Sequence, residues 1–370
     1  MKSLFISNPS DLDSPIPGGV QICSREFLQI VESASEQVRH VSVSITRHWV
    51  ARLRRRLGLG SYLLYNPREW ETVMAAEMKE CEPTHIFLNK AELIRFAPML
   101  RRLCPQARVV VMSHGTQSGD DLYEIAGPNG RRSNGMSRVR ATWQLGVDLA
   151  TESYYRHRWI DAVCVMSREE ETLERWLGAK ATVCLPRIVR PSFLEWKLVP
   201  GRVGYVGTLE HTPNRVALEE ICAIIGETGL ATELRLVGRP EVIGRELHAR
   251  YPFVSYLGGL SDADLRAEAA TWSLFVNPIF WLARGASMKL GQALALGLPV
   301  LTTQSGARGY EAWEGELSVT PDNAVDFVSE MEALLGDAAR LEECRRQSVL
   351  FANSVATAEE LGLRLLAAVP

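Results

Sequence analysis

The stretch from Trp272 to Gly309, WSLFVNPIFWLARGASMKLGQALALGLPVLTTQSGARG, constrains the fold more than any other part of the chain. Ser273–Asn277 is short, apolar and aromatic, and Pro278 closes it, as expected of a buried strand. Met288–Leu296 places apolar residues at helical spacing, Gly297 supplies a C-cap, and Leu298–Thr302 reads as a second buried strand. Strand, glycine-bearing turn, helix and strand make a βαβ unit. Its turn, Arg284-Gly285-Ala286-Ser287, leaves backbone N–H groups at a helix N-terminus, where anions and above all phosphate are attracted. Arg284 and Lys289 add positive charge at the same place.

The same alternation runs through the whole chain. Leu4–Ser7 opens as a strand, and a proline-containing loop with Gly18-Gly19 leads into a helix from about Val20 to Ser35, a second phosphate-type turn. Further strands are expected at His40–Thr46, His85–Asn89, Val109–Met112, Ala162–Val165 and Thr182–Leu185. Helices fall between them at Glu71–Cys81, Ile94–Cys104, Arg138–Trp159 and after Ser167, an N-cap followed by three glutamates that complement the helix dipole. His114 stands immediately after a buried strand, at the carboxyl end where doubly wound sheets bind ligands. Residues 117–137, polar and rich in Gly, Asn and Ser, predict a long functional loop. Three prolines within residues 186–201 break the alternation and mark a linker. The second half restarts it, with Thr208 ending one strand and Arg239 following the next. The fold class expected is α/β, two doubly wound Rossmann-like domains facing each other across a cleft. Residues 1–190 and 191–352 form the domains, and 353–370 a helix crossing back to the first.

At 370 residues and 46% hydrophobic composition the chain suits two packed domains. No run approaches the ~18 apolar residues of a spanning helix. The opening MKSLFISNPS turns polar too soon for a signal peptide, and the seven cysteines form no CxxC or Cys/His cluster. A cytoplasmic, reducing location without structural zinc is the expectation. Asp11 with Asp13, and Asp262 with Asp264, have metal-ligand spacing, but the first pair lies in a loop and the second at a helix start, so no metal site is expected. Charge is uneven: residues 1–190 carry a net +5 and residues 191–370 a net −8. Within the basic half, Arg47, Arg52, Arg54, Arg55 and Arg56 are interleaved with Trp49, Val50, Leu53 and Leu57. Such a helix either docks peripherally on an anionic membrane or anionic acceptor, or is a solvated surface helix with a small apolar stripe. No nucleic-acid motif accompanies it, so nucleic acid ranks low as a partner.

The segments GYVGTLEHTPNRVALEEI, LRLVGRP, VSYLGGLSDADL and ARGASMKLGQALALGLPVLTTQSGARGYE resemble, in order and spacing, the carboxy-terminal domain of family 4-type glycosyltransferases of the GT-B fold over about residues 203–310. PGGVQ after the first strand, MSHG, and residues 161–167 match the amino-terminal domain more loosely. The resemblance implies transfer of a sugar from a nucleoside-diphosphate-sugar to a saccharide or lipid-linked acceptor, with retention and with neither metal nor cofactor. It implies that His114 contacts the donor sugar, and that Gly18, Gly19, Arg284, Gly285, Ala286, Ser287 and Lys289 hold the diphosphate, with Arg239 a weaker cation. Two positions depart from the pattern. Gln292 stands where many relatives carry a ribose-binding glutamate, and Thr208 where they carry an arginine. An amide keeps hydrogen bonding to a hydroxyl but loses charge assistance. These departures admit a catalytically inactive homologue that serves as a binding partner. A GT-B nucleotide-sugar epimerase is the other enzyme reading, and it would need acid and base carboxylates in the site.

Overall fold

The computed structural model describes residues 1–13, 18–57, 60–126, 135–281, 284–310 and 317–369. The chain divides into two compact units, Met1–Arg187 with Ala356–Pro370, and Ile188–Val355.

The first unit runs β1 (Lys2–Ser7), α1 (Pro9–Leu12), α2 (Gly19–Ser33), β2 (Gln37–Ser42), α3 (Trp49–Arg56), α4 (Glu71–Cys81), β3 (His85–Asn89), α5 (Ala97–Leu103), β4 (Arg108–Met112), α6 (Gln117–Ala126), α7 (Gly135–Trp159), β5 (Ala162–Val165), α8 (Arg168–Trp176) and β6 (Thr182–Cys184). Its sheet is parallel throughout, in the order β2-β1-β3-β4-β5-β6. β3 and β5 are buried at every position, as strands covered on both faces must be. Strand order reverses between β1 and β3, so the carboxyl ends of those two strands flank a switch point.

The second unit runs β7 (Arg202–Thr208), α9 (Thr212–Thr228), β8 (Glu233–Arg239), α10 (Glu241–Arg250), β9 (Val254–Gly258), α11 (Asp262–Ala269), β10 (Leu274–Asn277), α12 (Met288–Ala295), β11 (Val300–Thr303), β12 (Ser318–Thr320), α13 (Ala324–Leu335) and α14 (Ala338–Ser354). The parallel order β12-β11-β10-β7-β8-β9 is that of a dinucleotide-binding sheet, with its switch point between β7 and β10.

The final helix, α15 (Ala358–Ala368), belongs to the first unit. It lies against α2, where Ser33 Oγ donates to the Ala358 carbonyl at 2.8 Å. His85 Nε2 meets the Val369 carbonyl at 3.0 Å, and Arg364 donates to the Cys184 carbonyl at 3.2 Å.

One expectation is overturned. Residues 117–126 are not loop but the helix α6. The missing signal is a cap supplied from far along the chain: the buried Glu152 of α7 accepts from the Gln117 and Ser118 amides at 2.9 and 3.2 Å, and from Ser118 Oγ at 2.5 Å. A carboxylate on the first amides of a helix stabilises it as a local N-cap would. Residues 127–134 of the expected loop lie outside the described residues. Helix α7 begins at Gly135, three residues before the expected Arg138. The region 91–103 starts as a 3-10 turn, Ala91–Phe96, before α5. β2 sits three residues earlier than expected, at Gln37–Ser42.

Candidate functional site

At the switch point of the second unit, three polar residues fix the turn between β10 and α12. Asn277, the last residue of β10, is fully buried and accepts from Ser287 Oγ at 3.3 Å. Its amide donates to Thr302 Oγ1 at 3.0 Å and to the Gly306 carbonyl at 2.9 Å. Ser287 caps α12 by accepting from the Leu290 amide, as its sequence position suggests. Arg308 is almost fully buried and donates to three backbone carbonyls, those of Gly285, Ser305 (2.8 Å) and Arg284 (3.2 Å). Its planar fork therefore shapes the turn that carries Arg284, Gly285 and Ala286. Ala286 packs its methyl on the apolar cluster below. Leu282 and Ala283 lie outside the described residues.

Lys289 occupies the first turn of α12 and reaches across to the end of β7. Its ammonium donates to Asn214 Oδ1 at 2.7 Å and Tyr205 Oη at 3.2 Å, and stands 4.9 Å above the Tyr205 ring. The stem passes Gly207, where a Cβ would lie 3.1 Å from Lys289 Cδ and 2.9 Å from Tyr205 Oη, so a side chain there would crowd both. Asn214 is held by its own amide, which donates to the Thr208 carbonyl at 2.8 Å. Among the described residues Lys289 has no carboxylate partner. Burial, and after it the like charge of Arg308, lowers its ammonium to about 7. His211, the N-cap of α9, keeps solvent access. Even so, burial of its ring, followed by the charges of Lys289, Arg284 and Arg308, lowers its imidazole below the ordinary value. The strand ends thus gather cations whose mutual repulsion is not offset by acids on Lys289.

The other expected donor residues stand around this centre. Arg284 is exposed at the turn and Gly285 is buried. Thr208 is exposed and pairs in register with Arg239 across β7 and β8. The Arg239 guanidinium reaches over Gly259, its Nε 2.8 Å from where a Cβ would be. Gln292 lies one turn beyond Lys289 on α12 and is exposed. Tyr205, Asn214, Asn277, His211 and Arg308 were not singled out in the sequence. Polar residues ending apolar strands, and an arginine between Gly306 and Gly309, were the available signals.

In the first unit His114 follows β4 and meets Asn89, the last residue of β3, with Nε2 3.1 Å from Oδ1. Asn89 is buried and its amide donates to Ser24 Oγ at 3.0 Å, which fixes its oxygen toward the imidazole. With the Asn89 oxygen turned to the ring, Nε2 is the nitrogen that donates to it. Phe27 packs edge-on, with centroids 5.4 Å apart. Gly18 and Gly19 open α2 beside the same switch point. The Gly18 amide already donates to Gln21 Oε1 at 3.0 Å, and Gln21 in turn donates to the Ser10 carbonyl. Asp11 of the DLD motif is paired with Lys90 at 2.8 Å, and Asp262 and Asp264 sit in the first turn of α11 behind the Ser261 cap.

Residues 200–337 match the family model described as glycosyl transferases group 1. No curated protein matches the chain. Among solved structures, the sucrose-phosphate synthase of Thermosynechococcus elongatus aligns over 99% of this chain and 97% of its own, at 17% identity and a TM-score of 0.68. Anabaena HepE, in complex with UDP and glucose, aligns over 99% and 98% at 13% identity and a TM-score of 0.62. An Escherichia coli structure described as trehalose-6-phosphate bound with UDP-2-fluoro glucose aligns over 99% and 98% at 12% identity and a TM-score of 0.60. At these identities the likeness is one of fold: two Rossmann-like units of the GT-B class.

Proposed function

We propose that the chain is a glycosyltransferase that moves a sugar from a nucleoside-diphosphate-sugar donor to a saccharide or lipid-linked acceptor, with retention and without a metal ion. One observation carries this reading. Lys289, half-buried at the switch point of a dinucleotide-type sheet, rests on two neutral oxygen acceptors and, among the described residues, on no carboxylate. A cation held in that way is electrostatically incomplete, and a diphosphate supplies the missing charge. The match of residues 200–337 to glycosyl transferases group 1 supports the reading, as do the relatives described with UDP.

In glycosyl transfer the bond between the anomeric carbon and the diphosphate oxygen breaks, and negative charge grows on the departing diphosphate. Groups that bind it more strongly as that charge grows lower the barrier. Lys289 does so from its fixed position, and the α12 N-terminus adds backbone N–H dipoles. Arg308 holds the turn in place, which keeps reorganisation small. Arg284 and Arg239, exposed on the same edge, serve the donor at shorter range once it is bound. Gln292 takes the ribose hydroxyls through its amide. His114, positioned by Asn89, is assigned to the donor sugar.

Calorimetry with a panel of nucleoside diphosphates, followed by transfer assays with the matching sugars, tests the reading. The anomeric product and the effect of a chelator decide retention and metal dependence. Absence of binding to every nucleotide rejects it. Gln292 and Thr208 favour a second reading, an inactive homologue. Tight nucleotide binding without turnover on any acceptor would select that one.

A further inference from the structure

The basic helix of the first unit has an unexpected neighbour. Helix α3 exposes Trp49 (65%) and Leu53 (46%) among the exposed Arg52, Arg54 and Arg56. The start of α7 exposes Val139 (68%) and Trp143 (61%) beside Arg138 and Arg140. These two surfaces are one. The Arg140 guanidinium donates to the Arg56 carbonyl, and just beyond α3 the Ser61 amide donates to Asp148 Oδ1 of α7 at 2.9 Å. A groove of about 770 Å³, lined by Val139, Trp143, Gly146, Val147 and Ala150, runs along α7 within this face.

Charge decides what fits it. Residues 47–68 and 127–147 contain no Asp or Glu. The next acid on α7, Asp148, is buried and accepts from Ser61 and Gln144. Among the described residues, the exposed arginines of this face have no carboxylate partner. A merely solvated helix mixes both signs and keeps large aromatics covered. Here two tryptophans and aliphatic side chains stand among arginines whose own segments carry no acid, the nearest carboxylates being Asp148 of α7 and Asp121 of α6 packed behind it.

We propose that α3 and the first half of α7 form a docking face for an anionic phospholipid bilayer. The arginines meet lipid phosphates, while Trp49, Leu53, Val139 and Trp143 enter the interfacial layer, where amphipathic aromatics are most stable. The groove gives acyl segments an apolar seat. No helix among the described residues is long and apolar enough to cross a membrane, so this contact is peripheral. The inference is independent of the glycosyltransferase reading.

The test is co-sedimentation with vesicles of phosphatidylcholine, with and without phosphatidylglycerol, over a salt series. The wild type is expected to sediment only with the anionic vesicles and to be released by salt, because surface attraction falls off within a Debye length. Trp49→Ser with Trp143→Ser, and Arg52→Ser with Arg54→Ser, should each lower partitioning at least tenfold, roughly fivefold or so per arginine. All four side chains are exposed, so circular dichroism melts should match the wild type; the wild-type salt series tests the charge component without any variant. Failure to sediment with anionic vesicles, equal binding to neutral ones, or folded variants that bind as well as wild type overturns the proposal. So does a lipid-free dimer abolished by Trp143→Ser, which would make the face a contact between copies.

Discussion

The Lys289 ammonium donates to Asn214 Oδ1 at 2.7 Å, joining residues 75 positions apart and tying the first turn of α9 to the first turn of α12. The bond is charge-assisted on one side only, since the acceptor is a neutral amide. The lysine is therefore ready to exchange or share its partner with an anion.

Replacing Lys289 with Met separates binding from folding. A charged hydrogen bond contributes about 1.5–3 kcal/mol, so affinity for a nucleoside diphosphate should fall roughly ten- to a hundredfold. The melting temperature should hold or rise, because a buried ammonium has been removed while the aliphatic stem is kept. Unchanged affinity by calorimetry would contradict the assignment.

The same group sets a pH dependence. The ordinary lysine value is 10.5, and here it is lowered to about 7. Between those values the unfolded chain holds a proton that the folded chain lacks, so stability of the ligand-free protein rises with pH across this window. Below pH 7 both states hold the proton and the destabilisation is complete. A bound diphosphate raises the value again. Binding near pH 8 should then take up a proton, measured by calorimetry in buffers of different ionisation heat. No uptake would mean that Lys289 does not face the phosphates.

Arg308→Lys tests the turn rather than the charge. An ammonium cannot reach the carbonyls of Gly285, Ser305 and Arg284 in one plane, so buried acceptors lose partners at about 1–3 kcal/mol each. Both the melting temperature and diphosphate affinity should drop, although the net charge is unchanged. A variant as stable as wild type would show the fork to be dispensable.

His114→Ala should lower turnover while leaving nucleotide affinity nearly unchanged, since the cations assigned to the diphosphate, Lys289 and Arg284, lie in the second unit. Asn89→Leu should act in the same direction through the imidazole it holds. Equal loss of affinity and turnover in steady-state kinetics would refute this division.

Gly291→Ala should run against the usual sign for a helix. Ala ordinarily stabilises a helix interior over Gly by about 0.5–1 kcal/mol. At this position the new Cβ would lie 2.4 Å from Tyr310 Oη, which donates to the Ser287 carbonyl at 2.9 Å. Overpacking of this kind costs about 1–3 kcal/mol. A thermal melt should show the loss, and diphosphate binding should weaken as the cap of α12 shifts.

Much of this architecture was legible in the residues. Apolar runs placed β3 and β5 to the residue, and Ser167 was a recognisable cap because its hydroxyl acts within three residues. The turn at Arg284–Ser287 that leads into α12 was legible for the same reason: its signal is local. What escaped was held from a distance. Glu152 caps α6 from 34 or 35 residues away, so residues 117–126 looked like loop. Arg308 gains its role only from three carbonyl partners, two of them more than 20 residues away. Asn214 and Tyr205 acquire meaning only once Lys289 crosses to them, and sequence spacing does not encode that meeting.

Helix α15 gives the molecule a temporal order. Its 11 residues complete a layer whose other members are built from Met1 to Arg187, while Ile188–Val355 intervenes as an uninterrupted block. During synthesis the intervening block can emerge and consolidate entire. The rest of the first unit must wait, with the side of α2 around Ile30 and Ser33 uncovered, until α15 emerges. Trimming the chain before Ala358 would therefore injure a unit whose other members lie more than 170 residues upstream.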